Sequence, residues 1–258
     1  MKLFLFAMAA GAVFAQTKSL SCDHDGGWGG RAHSCEVREQ TVGFAGRLNV
    51  DGGTNGGVSI KGWDGGSVLV RSRVDAQAAD DASAKALASQ VRIDTSAGQV
   101  HATGPSSQND ENWSVSYEIF VPRNADLTLK THNGGLSIAD VKGNIQFDVL
   151  NGGVNLKRLG GDVEGTTVNG GLNIELSGTR WDGAKLDART RNGGINIALP
   201  ENYSAHFESA TVNGHVNANY PMTVHGNIGG KRLTADLGSG GPTVHVETTN
   251  GGVNLRKL

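Results

Sequence analysis

Two groups of side chains in this 258-residue chain have the types and spacing to do chemistry. Near the start, Cys22-Asp23-His24 is mirrored by His33-Ser34-Cys35. In an oxidising compartment two cysteines most simply form a disulfide. A Cys22–Cys35 bridge would close a short loop and contribute about 3 kcal/mol in the chain-entropy account. The alternative is a zinc site. Cys22, His24, His33 and Cys35 make up a Cys2His2 set, which is a valid tetrahedral arrangement. Each pair, however, has one intervening residue where two to four are usual. Exported thiols tend to oxidise, so the disulfide is the expectation.

The second group is a row of carboxylates. Glu164, Asp187 and Glu208 fall at the same outward position of successive repeats. Repeats stacked ~4.8 Å apart would bring neighbours near the separation of about 5–10 Å used by paired glycosidase carboxylates. The row could also bind cations or a polysaccharide. Gln146 and His245 share the column, which favours a solvated face that keeps a sheet in water. Trp28, Trp63, Trp113 and Trp181 could stack on sugar rings, but scattered tryptophans more often fill or cap a core. The sequence has no His-Glu-x-x-His, no phosphate loop ending in Lys-Ser/Thr and no Gly-x-Ser-x-Gly elbow. Calcium-binding glycine repeats need an aspartate after the glycines, where these repeats carry Asn or Ser. The expectation is therefore no catalytic residue, no metal and no cofactor.

What must position these side chains is a repeated phrase. Asn133-Gly134-Gly135, Asn151-Gly152-Gly153, Asn169-Gly170-Gly171, Asn192-Gly193-Gly194 and Asn250-Gly251-Gly252 recur, with Asn213-Gly214-His215 as a weaker copy. Six positions before each Asn stand Leu127, Ile145, Val163, Leu186, Val244 and Phe207, all apolar. Two positions before it stand Thr131, Val149, Thr167, Thr190, Thr248 and Thr211, all β-branched. The alternate positions carry Thr128, Gln146, Glu164, Asp187, Glu208 and His245, then Lys130, Asp148, Thr166, Arg189, Ala210 and Glu247, so one face is buried and the other is wet. After the glycines, Val154/Leu156, Leu172/Ile174, Ile195/Ile197 and Val253/Leu255 point in. Asn155, Asn173, Asn196 and Asn254 point out, where stacked amides would form ladders. The Asn-Gly pair reads as a tight turn that requires positive φ.

The first three Asn fall 18 residues apart, enough for two strands and two turns. The expectation is an all-β chain, a β-solenoid of Asn-Gly-Gly repeats. The alternative is an antiparallel hairpin meander or sandwich, because Asn-Gly is also the strongest short hairpin signal. The gap before Asn250 has room for one degenerate unit around Gly226 to Gly230. An isolated copy sits at Asn55-Gly56-Gly57, and one short helix is expected near residues 80–90, acidic at its start.

Residues 1–15 read as a signal peptide: Lys2, an apolar stretch, then Val13-Phe14-Ala15 before Gln16. The apolar stretch is too short for a membrane span of about 20 residues. A lipoprotein reading through Leu20-Ser21-Cys22 is weakened by the polar residues before that cysteine. The domain expectation is a signal peptide at 1–15, a cysteine-containing segment at 16–44 and a β-strand repeat domain at 45–258. With 39 glycines, 5 prolines and regular Val/Ile/Leu, the composition suits many tight connections rather than disorder. A net charge of -2 with scattered basic residues gives no reason to expect a nucleic-acid partner.

Tyr117-Glu118-Ile119-Phe120-Val121-Pro122-Arg123, running through Leu127-Thr128-Leu129-Lys130-Thr131 into Asn133-Gly134-Gly135, resembles a widespread exported bacterial family. The closing Gly238-Ser239-Gly240-Gly241-Pro242 and Val244 to Gly251 carry the same resemblance, which covers roughly residues 45–258. The family is a domain of unknown function (family 4097) labelled putative adhesin. The resemblance implies an extracytoplasmic, non-enzymatic β-repeat protein. The extended face of such a repeat stack suits an envelope protein or a glycan surface as partner. It supplies no site residues. A carbohydrate-active enzyme on the same scaffold and a periplasmic ligand- or stress-sensing protein are the competing readings. The expected location is the periplasm, the cell surface or the exterior, with no membrane-spanning segment once the signal is cleaved.

Overall fold

A computed structural model describes residues 20–22, 31–107, 110–220 and 230–258. The period-two alternation becomes strands throughout. In chain order they begin with β1 (Ala32–Gly43), β2 (Arg47–Asp51), β3 (Val58–Trp63) and β4 (Ser67–Ala78). The one α-helix among the described residues, α1 (Asp81–Gln90), precedes β5 (Arg92–Asp94), β6 (Gln99–Thr103) and β7 (Asn112–Pro122). The repeats follow as pairs: β8 (Asp126–Asn133) with β9 (Leu136–Ala139), β10 (Lys142–Asn151) with β11 (Val154–Lys157), and β12 (Gly160–Asn169) with β13 (Leu172–Glu175). Next come β14 (Lys185–Asn192) with β15 (Ile195–Leu199), and β16 (Ala205–Asn213) with β17 (Val216–Asn219). The chain closes with β18 (Arg232–Leu237), β19 (Thr243–Asn250) and β20 (Val253–Lys257).

Each pair is a rung that places one strand in each of two large mixed sheets. The first sheet runs β1-β4-β7-β3-β9-β11-β13-β15-β20-β17, the second β18-β16-β19-β14-β12-β10-β8-β2-β6-β5. Successive rungs pair in parallel and in phase: Leu127 stands beside Ile145, Ile145 beside Val163, and Val163 beside Leu186. Parallel pairing rules out a hairpin meander for the repeats and makes the stack solenoid-like. The apolar column is sealed between the sheets, with Leu127, Ile145, Val163, Leu186, Val244 and Phe207 all at 1% exposure or less. Burial of this kind is worth roughly 1.5–3 kcal/mol per large side chain, and it fixes the register, since a one-residue slip would turn every column outward.

The glycines have a different job from the one their Asn-Gly context suggests. Gly134, Gly152, Gly170 and Gly193 do not adopt positive φ. A Cβ on each would instead come well under 3.0 Å from a glycine carbonyl oxygen of the preceding rung: Gly56, Gly134, Gly152 and Gly170 respectively. Close approach between rungs, not turn handedness, demands glycine here. The buried threonines complete the corner. Thr167, Thr190 and Thr248 donate from Oγ1 to the carbonyls of Gly152, Gly170 and Gly193 at 3.1, 2.8 and 2.8 Å. β-Branching thus suits the strand while the hydroxyl satisfies a carbonyl.

Two asparagine ladders run along the stack. In the first, each amide donates to the preceding Asn Oδ1 in the order Asn55, Asn133, Asn151, Asn169, Asn192, Asn250, Asn213, at 2.7–3.0 Å. The second joins Asn155, Asn173, Asn196, Asn254 and Asn217 at 3.1–3.2 Å. The Asn55 copy is therefore a full rung rather than an isolated one.

Rung order differs from chain order. The last rung, β19/β20, is inserted between β14/β15 and β16/β17. The expected degenerate unit lies almost wholly outside the described residues, and beyond Gly230 the chain forms β18, antiparallel to β16. At the other end β1, β4 and β7 extend the first sheet in antiparallel fashion. Helix α1 packs beside β1 and β4. Asp80 caps its start by accepting from Ser83 N at 2.8 Å. The Arg38 guanidinium donates to the Ala88 carbonyl at its end, where the macrodipole favours a cation.

Candidate functional site

The outward columns of the second sheet bring the chemistry-bearing residues together. Parallel register sets Thr128, Gln146, Glu164, Asp187, His245 and Glu208 side by side on consecutive strands. The carboxylate row is therefore broken: because β19 is inserted, His245 separates Asp187 from Glu208. Each carboxylate is also engaged. Glu164 accepts from Lys185 Nζ at 2.8 Å. Asp187 accepts from Arg189 at 2.9 and 2.7 Å and lies 3.0 Å from His245 Nδ1. Glu208 lies 3.3 Å from His206 Nε2, and that ring's Nδ1 sits 2.7 Å from Asp236.

These contacts set the charges. Burial pushes the Asp187 carboxyl up, but hydrogen bonds from Arg189 and His245 outweigh it and hold the group below the usual carboxylate range. A carboxyl kept ionised accepts hydrogen bonds and pairs with cations. It is poorly suited to donate a proton to a glycosidic oxygen, which calls for a raised pKa. The hydrogen bond to Asp236 raises the His206 pKa against the opposing effect of burial, and Glu208 adds to the rise. The geometry is that of a polar, charge-compensated face.

Across these columns runs a shallow groove that the sequence did not reveal. One stretch of about 420 Å³ is lined by Asn49, Asp51, Gln99, His101, Thr128 and Lys130. A second of about 360 Å³ shares Thr128 and Lys130 and continues past Gln146, Asp148, Glu164 and Thr166. Gln99 and His101 reach it only because β6 pairs with β2, which no periodicity in the sequence announces. A smaller depression of about 240 Å³ on the first sheet is lined by Asn155, Asn173, Asn196, Lys157, Glu175 and Arg256.

At the far N-terminal end of the stack the two cysteines form a disulfide, Cys22–Cys35, with Cα atoms 5.8 Å apart. With both sulfurs bonded to each other the Cys2His2 alternative does not form. His33 lies 3.3 Å from Asp75, and His24 lies outside the described residues. Arg71 and Arg73 donate to the carbonyls of Leu20 and Ser21, both at 3.4 Å, holding the cysteine-bearing segment across the outer face of β4. Arg71 also pairs with Glu118 and Glu39. The signal-like residues 1–15 lie outside the described residues, as does Trp28. The other tryptophans are anchored in the framework. Trp181 is 2% exposed and donates to Gly161 O at 3.0 Å, while Trp113 donates to Pro105 O at 2.7 Å and Trp63 to Ser67 O at 3.0 Å.

Residues 47–256 match the family described as Toastrack DUF4097. Among solved structures, the chain is similar to a putative cell adhesion protein from Clostridium sporogenes, with TM-score 0.50 and 14% identity over 87% of this chain and 100% of that one. It is also similar to a putative adhesin from Bacteroides fragilis, with TM-score 0.32 and 12% identity over 87% and 97%. A putative lipid binding protein from Parabacteroides distasonis matches with TM-score 0.35 and 10% identity over 87% and 96%. No curated protein matches. At these identities the first similarity speaks for the fold alone.

Proposed function

The chain belongs to that Toastrack family, and from this premise we propose that it is an exported, non-enzymatic adhesin-like module that contacts an envelope protein or a glycan surface. The signal peptide is residues 1–15, followed by the cysteine-containing segment 16–44 and the repeat domain 45–258. The mature chain works in the periplasm, at the cell surface or outside the cell, without a nucleic-acid partner. The Cys22–Cys35 disulfide fits an oxidising compartment. No helix among the described residues is long and apolar enough to cross a membrane.

The observation that carries the reading is the in-phase stacking of the rungs. It converts a short polar phrase into a rigid face whose columns and groove run along the stack. Repeat architectures use such extended surfaces for binding. The test is retention of the purified mature chain on isolated envelopes and on a glycan array. Lys130→Glu and Asp148→Lys, both in the groove, should each weaken retention by tenfold or more, while Asn173→Ala on the opposite sheet should leave it within twofold. No retention on either support, or retention indifferent to both groove variants, would overturn the proposal. Depolymerisation of a polysaccharide, lost in Asp187→Asn, would replace it with the enzyme reading.

A further inference from the structure

The inserted rung has a consequence for association between molecules. Strands β14/β15 and β16/β17 do not touch as neighbours in either sheet; they bound a slot, and β19/β20 fills it. Inside the slot the segment is paired on both sides. Leu186, Asp187 and Ala188 stand beside Val244, His245 and Val246 on one flank, and Phe207, Glu208 and Ser209 stand beside the same three on the other. Val244, Val246, Val253 and Leu255 are at most 1% exposed. Residues 243–257 are thus a plug that meets the rest of the molecule through backbone ladders, apolar columns, the two asparagine ladders and the contacts of His245, Thr248 and Lys257.

A glycine-rich connection is all that ties the plug to β18. Residues Gly238-Ser239-Gly240-Gly241-Pro242 carry it, with Gly238, Gly240 and Gly241 at φ of 54°, 72° and 140°. Those values suit glycine, which also moves most freely among alternative backbone conformations. This connection has to step over β16, because Leu237 pairs with Ala205 on one side of that strand and Thr243 with His206 on the other. Two strand spacings make that step about 10 Å.

We propose that the slot between β14/β15 and β16/β17 is an interaction surface for a second copy of this chain, which fills it with its own residues 243–257. The exchange recreates every contact of the closed molecule, so its cost is confined to the connection and to association itself. Two stacks joined in this way would display two binding faces. The proposal does not rest on the adhesive reading.

The decisive perturbation shortens the connection. Deleting Ser239, Gly240 and Gly241 leaves two residues, whose three links span at most about 11 Å. That reach barely equals the straight-line step and leaves none to pass around the backbone of Ser204 and Ala205. The closed form becomes unreachable, while the slot and the plug are untouched. The deletion should therefore double the mass measured by light scattering. Backbone amides of residues 243–257 should keep their wild-type protection from hydrogen exchange. Inserting Gly-Ser-Gly after Gly241 should restore the wild-type mass. A shortened chain that stays monomeric, a dimer that has lost protection over 243–257, or a chain that no longer folds would each overturn the proposal. The wild-type chain supplies an independent check. Two differently tagged copies unfolded and refolded together at high concentration should yield a mixed-tag dimer, and its absence at every concentration would also overturn the idea.

Discussion

Replacing Gly152 by alanine should destabilise the stack, whereas the same change at its neighbour Gly153 should not. A Cβ on Gly152 would sit well under 3.0 Å from the Gly134 carbonyl oxygen, against 3.4–4 Å for ordinary contact. The obstacle is backbone, so no side chain can swing away. The rungs would have to part locally by about 1 Å on a spacing of ~4.8 Å. Two hydrogen bonds across that seam, Gly134 N to Asn151 O and Leu136 N to Gly153 O, both 3.0 Å, would lengthen with it. Overpacking costs about 1–3 kcal/mol and each weakened bond about 1 kcal/mol, less ~0.4–1 kcal/mol gained from a stiffer unfolded chain. The net is a loss of about 2–4.5 kcal/mol, or roughly 4–18 °C in Tm for a domain of this size. At Gly153 the nearest atom to a Cβ is Gly171 O at 3.7 Å, and φ is not in the left-handed region. Alanine there should leave Tm unchanged or raise it by about 1–3 °C.

Thermal melts followed by circular dichroism at 218 nm would measure both variants. Gly152→Asn adds a diagnostic, because asparagine tolerates positive φ but still carries a Cβ. It should be at least as damaging as alanine. Equal Tm values for the two alanine variants, or rescue by asparagine, would refute close approach as the reason for glycine.

Three further outcomes follow from the same coordinates. Asn169→Ala removes two ladder bonds, to Asn151 at 2.7 Å and from Asn192 at 2.8 Å, and should cost about 1–2 kcal/mol. Asn55→Ala at the ladder's end removes one bond and should cost less in the same denaturant titration. His206 has a raised folded pKa, so its stabilising contribution is full below the unfolded value near 6.5 and is lost as pH rises through the folded value. The Tm difference between wild type and His206→Gln should therefore be larger at pH 5.5 than at pH 8.5, and a constant difference would count against the Asp236 contact. Removing the Cys22–Cys35 bridge as a double serine variant should cost up to about 3 kcal/mol, read as a fall in Tm.

What was legible in the sequence was whatever the strand period and the repeat encode directly. Leu127, Ile145 and Val163 read as buried because each alternates with polar neighbours, and they are buried. The amides of Asn155, Asn173 and Asn196 form the ladder their spacing suggested. Helix α1 was marked by Asp80, Asp81 and an alanine-rich run, and Asp80 is its cap. The role of Gly152 is not legible for a physical reason: positive φ and inter-rung crowding both select glycine, and only the position of the Gly134 carbonyl separates them.

The candidate site was less legible because stacking order is invisible to a local pattern. Every repeat presents the same register to its neighbours, so the sequence allows any rung to sit beside any other. Chain order placed Glu208 next to Asp187. The inserted β19 instead brings His245 between them, giving Asp187 an imidazole partner rather than a second carboxylate. A would-be carboxylate pair thus becomes a charge-compensated column through topology alone, without a change in any residue. The same indifference of register that hides the order lets the stack take in a rung out of chain order. Which equivalent surfaces meet is decided by connections such as Gly238 to Pro242 rather than by the repeats themselves.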